Sequence, residues 1–298
     1  MKRALSLILA VVLAIASIVT LAACGETTNY KFGKELLTVT SQLEALQGLK
    51  KGDADIAVID SVMAGYYMNN TDEFKDYKIL EKVVFAEEQY GIAAKKGNDA
   101  LISKINEALI ALADTDYKTI ADTYGLTSEL LVKADTVNPL ASANDESWNK
   151  VVNDKKIIIG YTLFAPIAYN DGDGADAKLV GFDIDLAKAV IKYLNTKYST
   201  EIAEPEFVVI DWNQKEALLE NGTIDLVWNG MTITPERKEG MSVSLPYLAN
   251  KQVAIIAKAD SDKFAADNYD GFVKLATDAV VIVEKGSAGE SMVLPDEE

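Results

Sequence analysis

Histidine is missing from all 298 residues, and cysteine occurs once. Without imidazole, a serine or cysteine triad has no general base and most zinc sites lose their commonest ligand. A lone thiol closes no internal disulfide, so the fold must rest on its packed core. Positive charge is scarce too. Lys plus Arg number 29 against 46 Asp plus Glu, and the formal charge of −17 repels a nucleic-acid backbone and an anionic membrane surface alike. Long apolar runs are confined to Ala4 through Ala23, and no second segment is apolar enough to span a membrane. What is present is 49% apolar and 25% charged residues, which excludes a disordered or collagen-like polymer and supplies a core for one large domain or two lobes.

Met1-Lys2-Arg3 gives the uncharged stretch a basic start, and the stretch ends at Cys24. Leu21-Ala22-Ala23-Cys24 resembles a bacterial lipobox, in which small residues fit a signal peptidase and the cysteine receives a diacylglyceryl group. The expectation is a signal peptide over residues 1–23, lipid on Cys24, and a protein anchored at the extracytoplasmic face of the cell membrane. The blander reading is an uncleaved membrane helix with an incidental cysteine.

Beyond Cys24, short β-branched runs alternate with helical periodicity, which predicts an α/β protein. Two stretches repeat each other. Residues 45–60 read as amphipathic helix, glycine stop and buried strand around Gly52-Asp53-Ala54-Asp55; residues 217–230 read the same way around Gly222-Thr223-Ile224-Asp225. Strands at Gln89-Tyr90-Gly91-Ile92 and Gln252-Val253-Ala254-Ile255 follow at similar distances, so two similar halves are expected. The later half is complete, from the strand at Lys156-Ile157-Ile158-Ile159 onward. The other half opens near the carboxyl end, at Ala279-Val280-Val281-Ile282-Val283, and continues at the amino end from Lys34. That order is a circular permutation; the bland alternative is a truncated product of tandem genes.

At this point the residues resemble the bacterial extracellular solute-binding proteins of family 3, the polar amino-acid receptors of ABC importers. Val180-Gly181-Phe182-Asp183-Ile184-Asp185-Leu186-Ala187 and Asn229-Gly230-Met231-Thr232-Ile233-Thr234-Pro235-Glu236-Arg237 look like the family's two most specific signatures. The resemblance implies a type II periplasmic-binding-protein-like clamshell of two α/β lobes joined by two crossing strands, here in permuted order. The crossings then fall near Ala86 to Tyr90 and Tyr247 to Lys251. Lobe 1 is residues 88–249 in one piece, with a linker at 133–145, and lobe 2 is built from 250–298 and 25–87.

The implied function is capture of a free amino acid between the lobes and delivery to an importer permease, by a monomer that uses no metal or cofactor and performs no catalysis. Arg237 is the implied carboxylate clamp, assisted by Thr232, the backbone at Gly230, and Ser287 at a helix start; arginine suits this role because its fork makes two parallel bonds to a carboxylate. Asp60 is the implied ammonium acceptor from the opposite lobe. Tyr161, Phe164 and Trp212 resemble the family's side-chain sandwich. The residues alone also allow Arg237 as a solvated helix residue and Asp60 as an N-cap. Tyr161 stands where relatives that take basic amino acids often place an acid. Glu284 and Asn229 are further candidates for reading a polar side chain. Two rival functions remain: a prephenate-dehydratase-like enzyme with Glu284 as its acid, or a fragment forming swapped oligomers.

Overall fold

The computed structural model describes residues 29–172 and 174–295. The signal segment and Cys24 lie outside the described residues. The chain opens with β1 (Glu35–Val39), α1 (Gln42–Lys51), β2 (Ile56–Asp60) and α2 (Ser61–Asn70). Ser41 Oγ accepts from the Glu44 amide at 3.2 Å while the Glu44 carboxylate reaches back to the Thr40 amide at 2.9 Å, a reciprocal cap that starts α1. Gly52, at φ +83°, takes the left-handed turn that stops it. β2 is buried along its whole length, as expected for a strand covered on both faces.

There follow β3 (Tyr77–Lys95), α3 (Asp99–Leu112), α4 (Asp116–Thr123), α5 (Ser147–Asp154), β4 (Ile158–Tyr161) and the small hairpin β5 (Tyr169–Asp171) and β6 (Lys178–Val180). The remainder is α6 (Phe182–Tyr198), β7 (Glu206–Val209), α7 (Lys215–Glu220), β8 (Leu226–Thr232), α8 (Pro235–Gly240), β9 (Met241–Val243), β10 (Leu248–Ala257), α9 (Tyr269–Leu275), β11 (Val280–Glu284) and α10 (Ala288–Val293). Among the described residues, nine strands form one sheet in the order β1-β11-β2-β10-β3-β8-β4-β7, with β9 attached to β3. The mixed α/β class expected from the sequence is what the structure has.

Two long strands divide this sheet. The start of β3 pairs antiparallel with the end of β10 (Tyr77 with Ala257), and its middle pairs from Ala86 with Gln252 to Tyr90 with Leu248. Its last residues leave β10 for β8 and β9 (Ala94 with Leu226, Lys95 with Met241). One half of the sheet is therefore β1, β11 and β2, the other is β8, β4 and β7, and β3 and β10 run through both.

The repeated Gly-x-x-Asp has a physical job. Asp55 Oδ2 accepts from the Val280 amide at 2.8 Å, at the start of β11; Asp225 Oδ2 accepts from the Ile158 amide at 2.9 Å, at the start of β4. In each half the aspartate after the glycine stop pins the neighbouring parallel strand in register.

Both ends of the described chain fold into one half. β1 pairs parallel with β11 from Glu35 with Val280 to Val39 with Glu284, and the Lys31 amide donates to the Val293 carbonyl at 2.9 Å. Phe32 stacks on Phe85 (5.2 Å between centroids) and meets Phe272 edge-on (5.3 Å), so early and late segments share one aromatic cluster. Each such pair adds about 0.5–1.5 kcal/mol beyond its burial. The segment 133–145 lacks helix and strand and lies on α3, where the Asn138 side-chain amide donates to the Ser103 carbonyl at 3.0 Å.

Candidate binding site

The candidate charges meet where strands of both halves end. Arg237 is aimed by its own helix start: Thr234 Oγ1 accepts from the Arg237 amide at 3.2 Å and Pro235 opens α8. Its Nη1 donates to the Thr232 carbonyl at 2.7 Å and its Nη2 crosses to the Gly286 carbonyl of the other half at 3.2 Å. Buried Lys215 does the same, donating to the carbonyls of Trp212 at 3.2 Å and Gly286 at 3.1 Å, with Glu216 paired at 3.2 Å. Two cations thus converge on one carbonyl oxygen. Burial lowers the pKa of both, and for Lys215 the nearby Arg237 adds to the effect.

Asp60 ends β2 in the N-cap position of α2 yet makes no capping bond. Its carboxylate instead accepts from the side-chain amides of Gln42, Asn250 and Gln252. Asn250 and Gln252 also donate to Glu88 Oε2, each at 2.9 Å, and Thr232 Oγ1 donates to the same oxygen at 3.1 Å. Two carboxyl groups, Asp60 at the end of β2 and Glu88 on β3, thereby share the same amide donors on β10. Burial, then the charge of Glu88, pushes Asp60 up to about 7 against the pull of its hydrogen bonds; burial also raises Glu88. Glu284, at the end of β11, is raised to about 8 by burial and by Asp60.

Arg237, Asp60 and Glu284 line a cleft formed by Gln42, Asp60, Glu284, Ser287 and Ala288 from one half and Thr162, Phe164, Trp212, Asn229, Gly230, Thr232 and Arg237 from the other. It leaves about 10 Å³ for solvent, on the order of a single water. A roomier gap of about 310 Å³ lies between α2 and the Tyr124 to Leu126 turn, but neither Arg237, Asp60 nor Glu284 lines it. We place the site at the tight cleft because the opposed charges converge there. Among the described residues, no cluster of acidic or cysteine side chains could hold a metal ion, and no helix is long and apolar enough to cross a membrane.

Nine of the ten candidate ligand residues read from the sequence line this cleft: Arg237, Asp60, Thr232, Gly230, Ser287, Trp212, Phe164, Glu284 and Asn229. Tyr161 does not. Its ring packs edge-on against Phe207 at 6.3 Å, in a small cluster with Ala168 and Ile184. Successive strand residues face opposite ways, so the cleft position belongs to its neighbour Thr162. A second correction concerns Gly230. Its amide donates to Asp183 Oδ2 at 2.9 Å and so is spent inside its own half. What Gly230 supplies is space: at φ +62°, a Cβ there would stand 2.7 Å from the Phe164 ring. Ser287 caps α10, its Oγ accepting from the Glu290 amide at 3.2 Å, and keeps its own hydroxyl hydrogen to donate.

Gln42, Thr162, Glu88, Lys215, Asn250 and Gln252 were not singled out. The last two carried a readable signal, polar residues at alternate positions of an otherwise apolar strand, Leu248-Ala249-Asn250-Lys251-Gln252-Val253. Buried and facing one way, they had to meet acceptors. Lys215 carried none, since a lysine in a short amphipathic helix reads as solvated.

Comparison with known proteins gives three findings. Residues 157–289 match the model of the bacterial extracellular solute-binding proteins, family 3. The chain is 34% identical over 134 residues to the arginine-binding extracellular protein ArtP of Bacillus subtilis, covering 44% of this chain and 48% of that one. It is 40% identical over 94 residues to the ABC transporter arginine-binding protein 1 of Escherichia coli, covering 32% and 35%. Among solved structures, a substrate-binding protein of an ABC uptake transporter from Streptococcus pneumoniae with bound histidine is 40% identical, covers 32% of this chain and 35% of its own, and has a TM-score of 0.27. The chain spans about half the length, or less, of these curated relatives.

Proposed function

We propose that the chain, whose residues 157–289 match the model of the bacterial extracellular solute-binding proteins, family 3, captures a free amino acid between the two halves of its sheet and delivers it to an ABC importer. The observation that carries this reading is the meeting of Arg237 and Asp60, opposite charges from opposite halves, in one cleft. A zwitterion offers each its partner. Arg237 takes the α-carboxylate, with Ser287 donating beside it, and Asp60 accepts from the ammonium. Three donors already occupy Asp60; with about four lone-pair sites on a carboxylate, the ammonium takes the last one or displaces Gln42. Phe164 and Trp212 flank the side chain.

Because the cleft holds no more than about one water, the halves part to admit a guest, bending where β3 and β10 cross. Each guest charge then binds one half, so closure is stabilised by ligand bonds that the open form lacks. The permuted order belongs to this proposal as well. The family match ends at Gly289, past β11, and the strands that complete that half, β1 and β2, precede it in the chain. We assign the chain to the extracytoplasmic face, tethered through Cys24, as a monomer without catalytic activity.

Calorimetry of the full chain in mild detergent with each of the twenty amino acids tests the reading. Micromolar binding of at least one is expected, with no loss of prephenate absorbance on adding the protein. Silence toward all twenty, or turnover of prephenate, would sink it.

A further inference from the structure

Two residues that line the cleft from opposite halves each hold a buried acceptor oxygen without a donor. Glu284 is 3% exposed and its Oε1 has no hydrogen-bond partner among the described residues. Asn229 is 2% exposed; its amide nitrogen donates to Thr162 Oγ1 at 2.9 Å and its Oδ1 is left unpartnered. Buried acceptors are rarely left so, because desolvation is then uncompensated. The Gln42 amide donates to Asp60, and Lys215 to two carbonyls and Glu216, and neither satisfies Glu284 Oε1. Glu284 is the one acid besides Asp60 among the residues lining the cleft, and a cationic side chain would give its unpartnered oxygen a charged donor.

We infer that Glu284 determines specificity by receiving a positively charged side chain, guanidinium or ammonium, so that the cleft prefers cationic amino acids to their neutral isosteres. This rests on the amino-acid-binding reading above, in which Arg237 and Asp60 take the α-groups and leave Glu284 for the side chain. Tyr161 does not oppose it, since that ring lies outside the cleft. The acid comes from the other half of the sheet.

A proton accompanies the event. Burial and Asp60 hold the Glu284 carboxyl at about 8, against the opposing influence of Lys215, Gln42 and Arg237, so at pH 7 the empty cleft keeps it largely protonated. A cation seated against it favours the carboxylate and sends that proton to the buffer. A neutral side chain leaves the proton where it is. Any proton that Asp60 releases to the ammonium is common to both kinds of guest, so the difference between them reports Glu284.

The test is titration calorimetry of the full chain in mild detergent with arginine and its neutral isostere citrulline, at pH 7, in two buffers of different ionisation enthalpy. Arginine is expected to bind at least about tenfold tighter than citrulline and to release more protons, by up to one. Both differences should vanish in Glu284→Gln. Equal affinity, or equal proton release, for the two guests on the unaltered chain overturns the inference whether or not the variant folds. A folded Glu284→Gln that keeps the preference overturns it as well. Binding of neutral amino acids without any charge preference removes this inference alone; failure of every amino acid to bind removes it together with the reading beneath it.

Discussion

Arg237 and Gly286 are bonded across the cleft, the guanidinium Nη2 donating to the glycine carbonyl at 3.2 Å. The group assigned to the ligand's carboxylate is also a group that holds the halves together. A carboxylate is a stronger, bidentate acceptor than a carbonyl, so ligand arrival strengthens what the empty cleft has only weakly. Replacing Arg237 by alanine should weaken amino-acid binding at least tenfold, about 1.4 kcal/mol. Lysine at the same place should recover only part, being a point charge without the planar fork. Titration calorimetry decides, and an unaltered Arg237→Ala affinity would remove the clamp.

Gly286 is the contact point of closure. Its φ is +72°, and a Cβ there would sit 3.0 Å from the Asn213 backbone of the facing half. Gly286→Val should therefore wedge the cleft, adding about 1–2 kcal/mol of left-handed backbone strain to the clash. The expected outcome is a larger radius of gyration by solution scattering in the presence of ligand, with affinity reduced. A variant that closes as compactly as the unaltered chain would contradict the closed geometry.

Asp183 makes stability depend on pH in an unusual direction. Burial lifts it to about 7, although Tyr247 and the Gly230 amide hydrogen-bond to it. Folded chains then keep a proton that unfolded chains surrender near pH 4, so this group's contribution is fully present below about 4 and is lost as pH rises through about 7. The slope is at most about 1.4 kcal/mol per pH unit for each such proton. Asp183→Asn cannot ionise, and its unfolding midpoint in urea should fall less between pH 5 and pH 8 than that of the unaltered chain. Parallel pH profiles for the two would show that Asp183 is ionised throughout.

The local grammar of the fold was legible because it is written locally. Gly52 and Gly222 announced helix stops, each followed by an aspartate that ties down the adjacent strand. Arg237 and Asp60 are pointed to by the family resemblance, Arg237 closing a signature stretch and Asp60 following the strand of the repeated unit. Facing was harder. Tyr161 ends β4 and Thr162 follows it, and which of them looks into the cleft depends on how the strand sits between β7 and β8. The occupation of the Gly230 amide was hidden for a similar reason: its acceptor, Asp183, lies 47 positions away in the chain. Glu284 looked like a lone acid, and only the packing reveals it as buried and short of a donor.

β11 lies between β1 and β2 in the sheet, although almost the whole chain separates it from them. During synthesis, β4, β7 and β8 find their neighbours within a short span. β1 and β2 must wait with open edges until β11 emerges. Non-local pairings of this kind are slow and leave strands available to the wrong partners. A nascent chain of this design therefore depends on being shielded until β11 is made, and a message cut short before β11 would yield a product with one half folded and one half adhesive.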